Sequence, residues 1–158
     1  MKLKNLFVSA SLSFAASAAL WAQASMPVLT IVPPAKLTVP RTGPITELLK
    51  VQIQSDYHVN SNKPNEEFLI PLKLTWDLGA LVSPVVEYPK PDQLKSDFSD
   101  QPLSVYTGSF ELRTRFQRAE NATLGPGFLT GKLRYQACND KMCLPPRTLD
   151  VRVPLLVE

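Results

Sequence analysis

Fifteen prolines are distributed over residues 27–158 of this 158-residue chain. A proline inside a helix removes a hydrogen bond and clashes with the preceding turn, at a cost of about 3 kcal/mol or more. Spaced this closely, they exclude long helices and leave strands and loops. The apolar pattern agrees. Leu49, Val51 and Ile53 alternate with Lys50, Gln52 and Gln54. Ile70, Leu72, Leu74 and Trp76 form a second alternating run, Phe110, Leu112, Thr114 and Phe116 a third. Leu133, Tyr135 and Ala137 form a fourth, and Leu149, Val151, Val153 and Leu155 a fifth. A period of two with one wet face is the mark of a half-buried strand. Shorter strands are expected over 28–32, 36–39, 57–59 and 81–88, while 90–102 reads as a loop. Seven to nine strands punctuated by Pro, Gly, Asn and Asp predict an all-β chain, an immunoglobulin-like antiparallel β-sandwich of two sheets with a C-terminal cysteine hairpin. A barrel is the alternative. The proline-rich lead over 25–44 is expected to lie along a sheet edge or to stay loose.

The N-terminus reads differently. Lys2 and Lys4 precede an apolar stretch from Leu6 to Trp21, and Ala22-Gln23-Ala24 has the small-x-small form of a cleavage site. This predicts a secretory signal peptide over 1–24 and one mature domain over 25–158. No later apolar run approaches the ~18 residues that span a bilayer, so no membrane span is expected in the mature chain. Without Lys2 and Lys4, 17 basic residues become 15 against 14 acidic, a net charge of +1. With no basic cluster interleaved with aromatics, a nucleic-acid partner is excluded.

Both cysteines fall in one short run, Tyr135-Gln-Ala-Cys138-Asn-Asp-Lys-Met-Cys143-Leu-Pro-Pro146. Outside the cytosol a close pair of thiols is normally a disulfide, and opposed residues of a hairpin lie within bridging reach. Parity adds a constraint. If Cys138 faces Cys143, partners sum to 281 and inward Leu133 faces outward Thr148, so the apolar faces disagree by one residue. A bulge near Pro145-Pro146 would repair the register, since proline cannot donate to a ladder. The residues leave a stabilising staple and redox exchange both open. A closed loop this short contributes about 2 kcal/mol, less than a bridge between distant strands. A copper-handling role is a further alternative, with Cys138, Cys143, Met142 and His58 as soft ligands. The four protein ligands of a structural zinc site are missing. His58, the one histidine, reads as a packing or surface position. Lys141, Arg147 and Arg134 are close enough in sequence to steady a thiolate, with Asp140 opposing them.

The run from Tyr135 to Cys138, followed by Cys143-Leu144-Pro145-Pro146, resembles the redox hairpin of the N-terminal periplasmic domain of DsbD, the thiol:disulfide interchange protein. Asp56-Tyr57-His58-Val59-Asn60-Ser61-Asn62-Lys63-Pro64 and Val105-Tyr106-Thr107-Gly108 are similar to forms found in DsbD-like exported proteins. The resemblance implies an immunoglobulin-like fold that carries two electrons in the periplasm without a cofactor or a bound metal. Cys138 and Cys143 would be the redox pair, with Cys143 the sulfur of the mixed disulfide. Phe98 would be the aromatic cap over them, with Tyr106 beside it. The implied partners are thioredoxin-like proteins and a separately encoded membrane disulfide reductase on the donor side. On the acceptor side they are periplasmic disulfide isomerases or cytochrome c maturation proteins. The chain departs from the family in its spacing, C-x4-C where C-x5-C is familiar. It also lacks the membrane-spanning and thioredoxin-like domains, so a donor is expected to be a separate protein.

Overall fold

The alternating runs become the long strands. A computed structural model of the chain describes residues 27–96, 99 and 101–158; the expected signal peptide lies outside them. The described residues form twelve strands and no helix: β1 (Leu29–Ile31), β2 (Leu37–Val39), β3 (Ile45–Ile53), β4 (His58–Asn60), β5 (Lys73–Trp76), β6 (Leu81–Glu87), β7 (Asp92–Leu94), β8 (Leu103–Thr107), β9 (Ser109–Arg118), β10 (Gly125–Tyr135), β11 (Ala137–Cys138) and β12 (Arg147–Val157). Two sheets make the sandwich, in the orders β1-β3-β9-β6 and β2-β12-β10-β5. All their pairings are antiparallel except β2 with β12, which is parallel. The proline-rich lead supplies β1 and β2, one at the edge of each sheet. Facing positions fill the space between them: Leu49, Val51, Leu112, Leu129, Leu133, Val151 and Val153 are all buried.

Trp76 is in this core, as its phase with Leu72 and Leu74 predicts. Its Nε1 donates to Thr114 Oγ1 at 3.0 Å, and its ring stands edge-on to Phe116 with centroids 5.6 Å apart. Gly131 pairs directly with Trp76. A Cβ there would lie 2.5 Å from the Thr75 carbonyl oxygen and 2.7 Å from the indole ring, so the strand can approach only as glycine. Gly131→Ala is expected to destabilise the fold by about 1–3 kcal/mol, the usual cost of overpacking, as measured by urea denaturation.

Twelve strands exceed the seven to nine expected, and the sheets number three. The third has the order β11-β4-β8-β7. Its members are short, and β8 is buried along four consecutive residues, so none displays the alternation that reveals a strand. The residues 90–102, read as a loop, contribute β7. Three of the four strands prolong strands of the sandwich past a bend. The chain runs from β3 to β4 through a turn with Asp56 at φ 68°, and from β8 to β9 through Gly108 at φ 59°. It runs from β10 to β11 across Gln136 alone. Ile53 N–H bonds to the Gly108 carbonyl at 2.7 Å and ties two of these bends together. The third sheet is thus an end of the sandwich folded over, and its strand β11 carries Cys138, which Cys143 joins from outside the sheet.

Candidate functional site

The ribbon β10–β12 keeps one register throughout, from Gly125 with Val157 to Tyr135 with Arg147, so every pair sums to 282. Cys138 faces Cys143 as an isolated bridge, which sums to 281. The difference is one extra residue on the return strand over 144–146, the bulge that parity predicts. Leu133 accordingly meets Leu149 and both apolar faces stay inward.

Beyond the bulge, a four-residue turn closes the hairpin. Asn139 N–H bonds to the Met142 carbonyl at 2.9 Å, and Leu144 N–H to the Ala137 carbonyl at 2.8 Å. The Asn139 side-chain oxygen accepts from the amides of Lys141 and Met142 at 3.0 and 2.9 Å. This bonding makes Cys138 and Cys143 a non-hydrogen-bonded pair, the type that brings two strands closest. Their Cα atoms are 3.9 Å apart and their sulfurs are joined. No hydrogen bond involves the main chain of Cys143 among the described residues.

Gln136 holds the bend at which the chain changes sheets. Its Nε2 donates to the Leu144 carbonyl at 3.3 Å. Its Oε1 accepts from Ile70 N–H at 3.3 Å and from Asn60 Nδ2 at 3.4 Å. A polar residue between inward Tyr135 and inward Ala137 is the one sequence signal of this role.

The two sulfurs have unlike surroundings. Cys138 is 3% exposed, whereas Cys143 lies on the surface. Between them and the loop over 61–72 lies an apolar cavity of about 240 Å³, walled by His58, Phe68, Leu69, Leu103, Gln136 and Asn139 beside the cysteines. Phe68 is 69% exposed, a large apolar ring at the mouth of the cavity. In the sequence Phe68 directly follows Glu66 and Glu67 and is part of no alternating run. The packing of Leu69 with Leu103 and the bond from Ile70 N–H to Gln136 bring that loop to the hairpin.

The other expected residues are distributed as follows. Phe98 lies outside the described residues. Tyr106, on β8, is buried; its hydroxyl donates to Asn62 Oδ1 at 2.8 Å and to the Pro89 carbonyl at 3.1 Å, and its ring stacks on Phe110 at 4.8 Å. It braces the third sheet and does not line the cavity at the sulfurs. Nor do Arg134, Lys141 or Arg147. Arg147 borders a separate cavity on Tyr57, Tyr135 and Pro145. His58 is buried and pairs directly with Cys138 across β4 and β11. Burial lowers its pKa below the ordinary histidine value, and the nearby Asp140 carboxylate opposes that shift.

Comparison with known proteins follows the same lines. The family model of the N-terminal region of the thiol:disulfide interchange protein DsbD matches residues 29–154. No curated protein sequence matches the chain. Among solved structures, the N-terminal periplasmic domain of ScsB from Proteus mirabilis shares the fold, with 16% identity and a TM-score of 0.54 over 80% of this chain. The chain spans 44% of that structure's length. The Neisseria meningitidis DsbD N-terminal domain in its reduced form aligns with 20% identity and a TM-score of 0.41, over 67% of this chain and 74% of that one.

Proposed function

We propose that this chain, which belongs to the family of the DsbD N-terminal domain, is a carrier of two electrons in thiol-disulfide interchange, with Cys138 and Cys143 as its redox pair. The asymmetry of the bridge carries the reading. An incoming thiolate can reach the exposed Cys143 sulfur, and the buried Cys138 sulfur is then the leaving group. The partner becomes joined to Cys143 and Cys138 departs as a thiolate with the electron pair. The partner's second thiol then attacks its own bound sulfur and releases Cys143. The partner ends oxidised to a disulfide and this chain holds the dithiol; delivery to an acceptor disulfide is the reverse.

The donor in this reading is a thioredoxin-like protein served by a separately encoded membrane disulfide reductase. The acceptors are periplasmic disulfide isomerases or cytochrome c maturation proteins. The signal peptide over 1–24 would deliver the chain to that compartment. With no cationic side chain lining the cavity among the described residues, the pair depends on the partner's own reactive thiol to start exchange.

The reduction potential tests the reading. Equilibration in glutathione buffers is expected to open and close the pair at a potential above about −300 mV, whereas a lower value and resistance to glutathione would make the bridge a staple. Access is tested separately. Phe68→Ala is expected to speed reduction by dithiothreitol several-fold, because the ring at the cavity mouth limits approach to the sulfurs. Unchanged rates would remove it as an access group, and the same assay on Phe98→Ala compares the aromatic that the family resemblance selects.

A further inference from the structure

We infer that His58 is the proton acceptor for Cys138 when the dithiol closes, a role that rests on the exchange reading above. Three observations place it there. His58 stands directly opposite Cys138 in the β4–β11 ladder, so the two side chains project from the same face of the third sheet with Cβ atoms about 5.5 Å apart. It walls the same cavity as both sulfurs. It is 7% exposed, and its Nε2 is buried without a hydrogen-bond partner. An unpaired buried acceptor is costly. In the disulfide form nothing at the sulfurs can donate to it; once the bridge opens, the Cys138 thiol brings a hydrogen to the same cavity.

The step needs such a group. Cys138 is buried in apolar surroundings, which disfavour the thiolate, yet only the thiolate attacks. After Cys143 has formed a mixed disulfide with an acceptor, the Cys138 thiol gives its proton to His58 Nε2. The Cys138 thiolate then attacks the Cys143 sulfur. The bond from Cys143 to the acceptor breaks, and the acceptor leaves as a thiolate with the electron pair and takes the proton from the imidazolium. The cysteine pair loses two electrons and the acceptor gains them. Burial keeps the imidazole neutral, as an acceptor must be. Asp140 at the hairpin turn acts on the ring. Asp92 pairs with Val105, two residues before Thr107, and accepts from the hydroxyl of Thr107, which pairs with His58. Glu67 adjoins Phe68 in the cavity wall. The Asp140 carboxylate favours an imidazolium once it forms.

Oxidised glutathione is the probe. Mixed with the reduced protein, it loads Cys143, and closure by Cys138 releases the second glutathione, which is timed by rapid quench. His58→Gln is expected to slow that release at least ~10-fold at neutral pH, within the range of general-base effects. The deficit should vanish at alkaline pH, where Cys138 ionises unaided. Loading of Cys143, measured in a Cys138→Ser background, should not change. Equal release rates and equal pH profiles in the two proteins would overturn the assignment and leave the exchange reading intact. No release of glutathione by the wild-type dithiol and no adduct on Cys138→Ser would remove the exchange reading, and this role with it. The wild-type protein gives an independent readout. Its single histidine has an unambiguous ring proton resonance, whose titration midpoint is expected to differ between disulfide and dithiol forms. An identical midpoint would place the ring out of touch with the thiol and overturn the assignment.

Discussion

A Cys138→Ser variant, with Cys143 as its one thiol, is expected to accumulate as a mixed disulfide with a thioredoxin-like partner that lacks its own resolving cysteine. Cys143→Ser is expected to accumulate none. The contrast follows from burial. A partner must bring its sulfur in line with the bond it attacks, and the surface gives it Cys143. Cys138, at 3% exposure, lies under the hairpin with no path for a second protein. Removing it leaves nothing in this chain to expel the partner, so the adduct should outlast the wild-type intermediate by at least ~10²-fold, since exchange requires a thiolate within reach. Non-reducing electrophoresis and intact mass read the result. Adducts on Cys143→Ser instead would reverse the assignment of the two sulfurs.

Raising the pH from about 5 to 8 is expected to weaken the fold, and Glu47→Gln is expected to abolish most of that loss. Glu47 occupies an inward position of β3 between Ile45 and Leu49, opposite Thr114, and is 6% exposed. No ion pair or hydrogen bond to it occurs among the described residues. Burial pushes its pKa from 4.5 up to about 7. In the unfolded chain the carboxyl ionises near 4.5, whereas in the folded one it keeps its proton. The folded state therefore holds more protons across that window, and stability falls as pH rises. The contribution is complete below about 4.5 and is lost through 7, with a ceiling of about 3 kcal/mol at 1.36 kcal/mol per unit. His58 acts in the opposite sense. Its lowered pKa means that the folded state resists protonation, so its part declines as pH falls below the ordinary 6.5. The amide of Glu47→Gln cannot ionise, so this variant isolates the two terms and should exceed wild type in stability at pH 8. Urea denaturation across pH measures both. A wild-type curve that rises steadily from pH 5 to 8 would show that Glu47 reaches water.

Much of the sandwich was legible because its strands are long and wet on one face. The runs ending at Ile53, Phe116 and Leu155 fixed inward positions by parity alone, and parity also required the bulge at Pro145-Pro146. Glu47 lay within that logic: it shares the phase of Leu49 and Val51, so its burial follows once β3 is extended by two residues. The third sheet was not legible. β4, β8 and β11 have three, five and two residues, too few for a period. Each is buried on both sides, which removes the polar half of the signal. Phe68 and His58 acquire their places only through that sheet, one by the docking of the loop over 61–72, the other by its register with Cys138. The cysteines were evident from spacing. Which of them water can touch was a matter of tertiary packing.

Pro145 and Pro146 carry no amide hydrogen, and Leu144 spends its own on Ala137. The outer rim of the hairpin therefore offers a neighbouring chain one free rung, at Cys143, and then stops. An uncovered rim in a molecule built almost wholly of strands would otherwise recruit further copies into a growing stack. The diproline leaves Cys143 on the surface and withholds the run of amide donors on which a stack would grow.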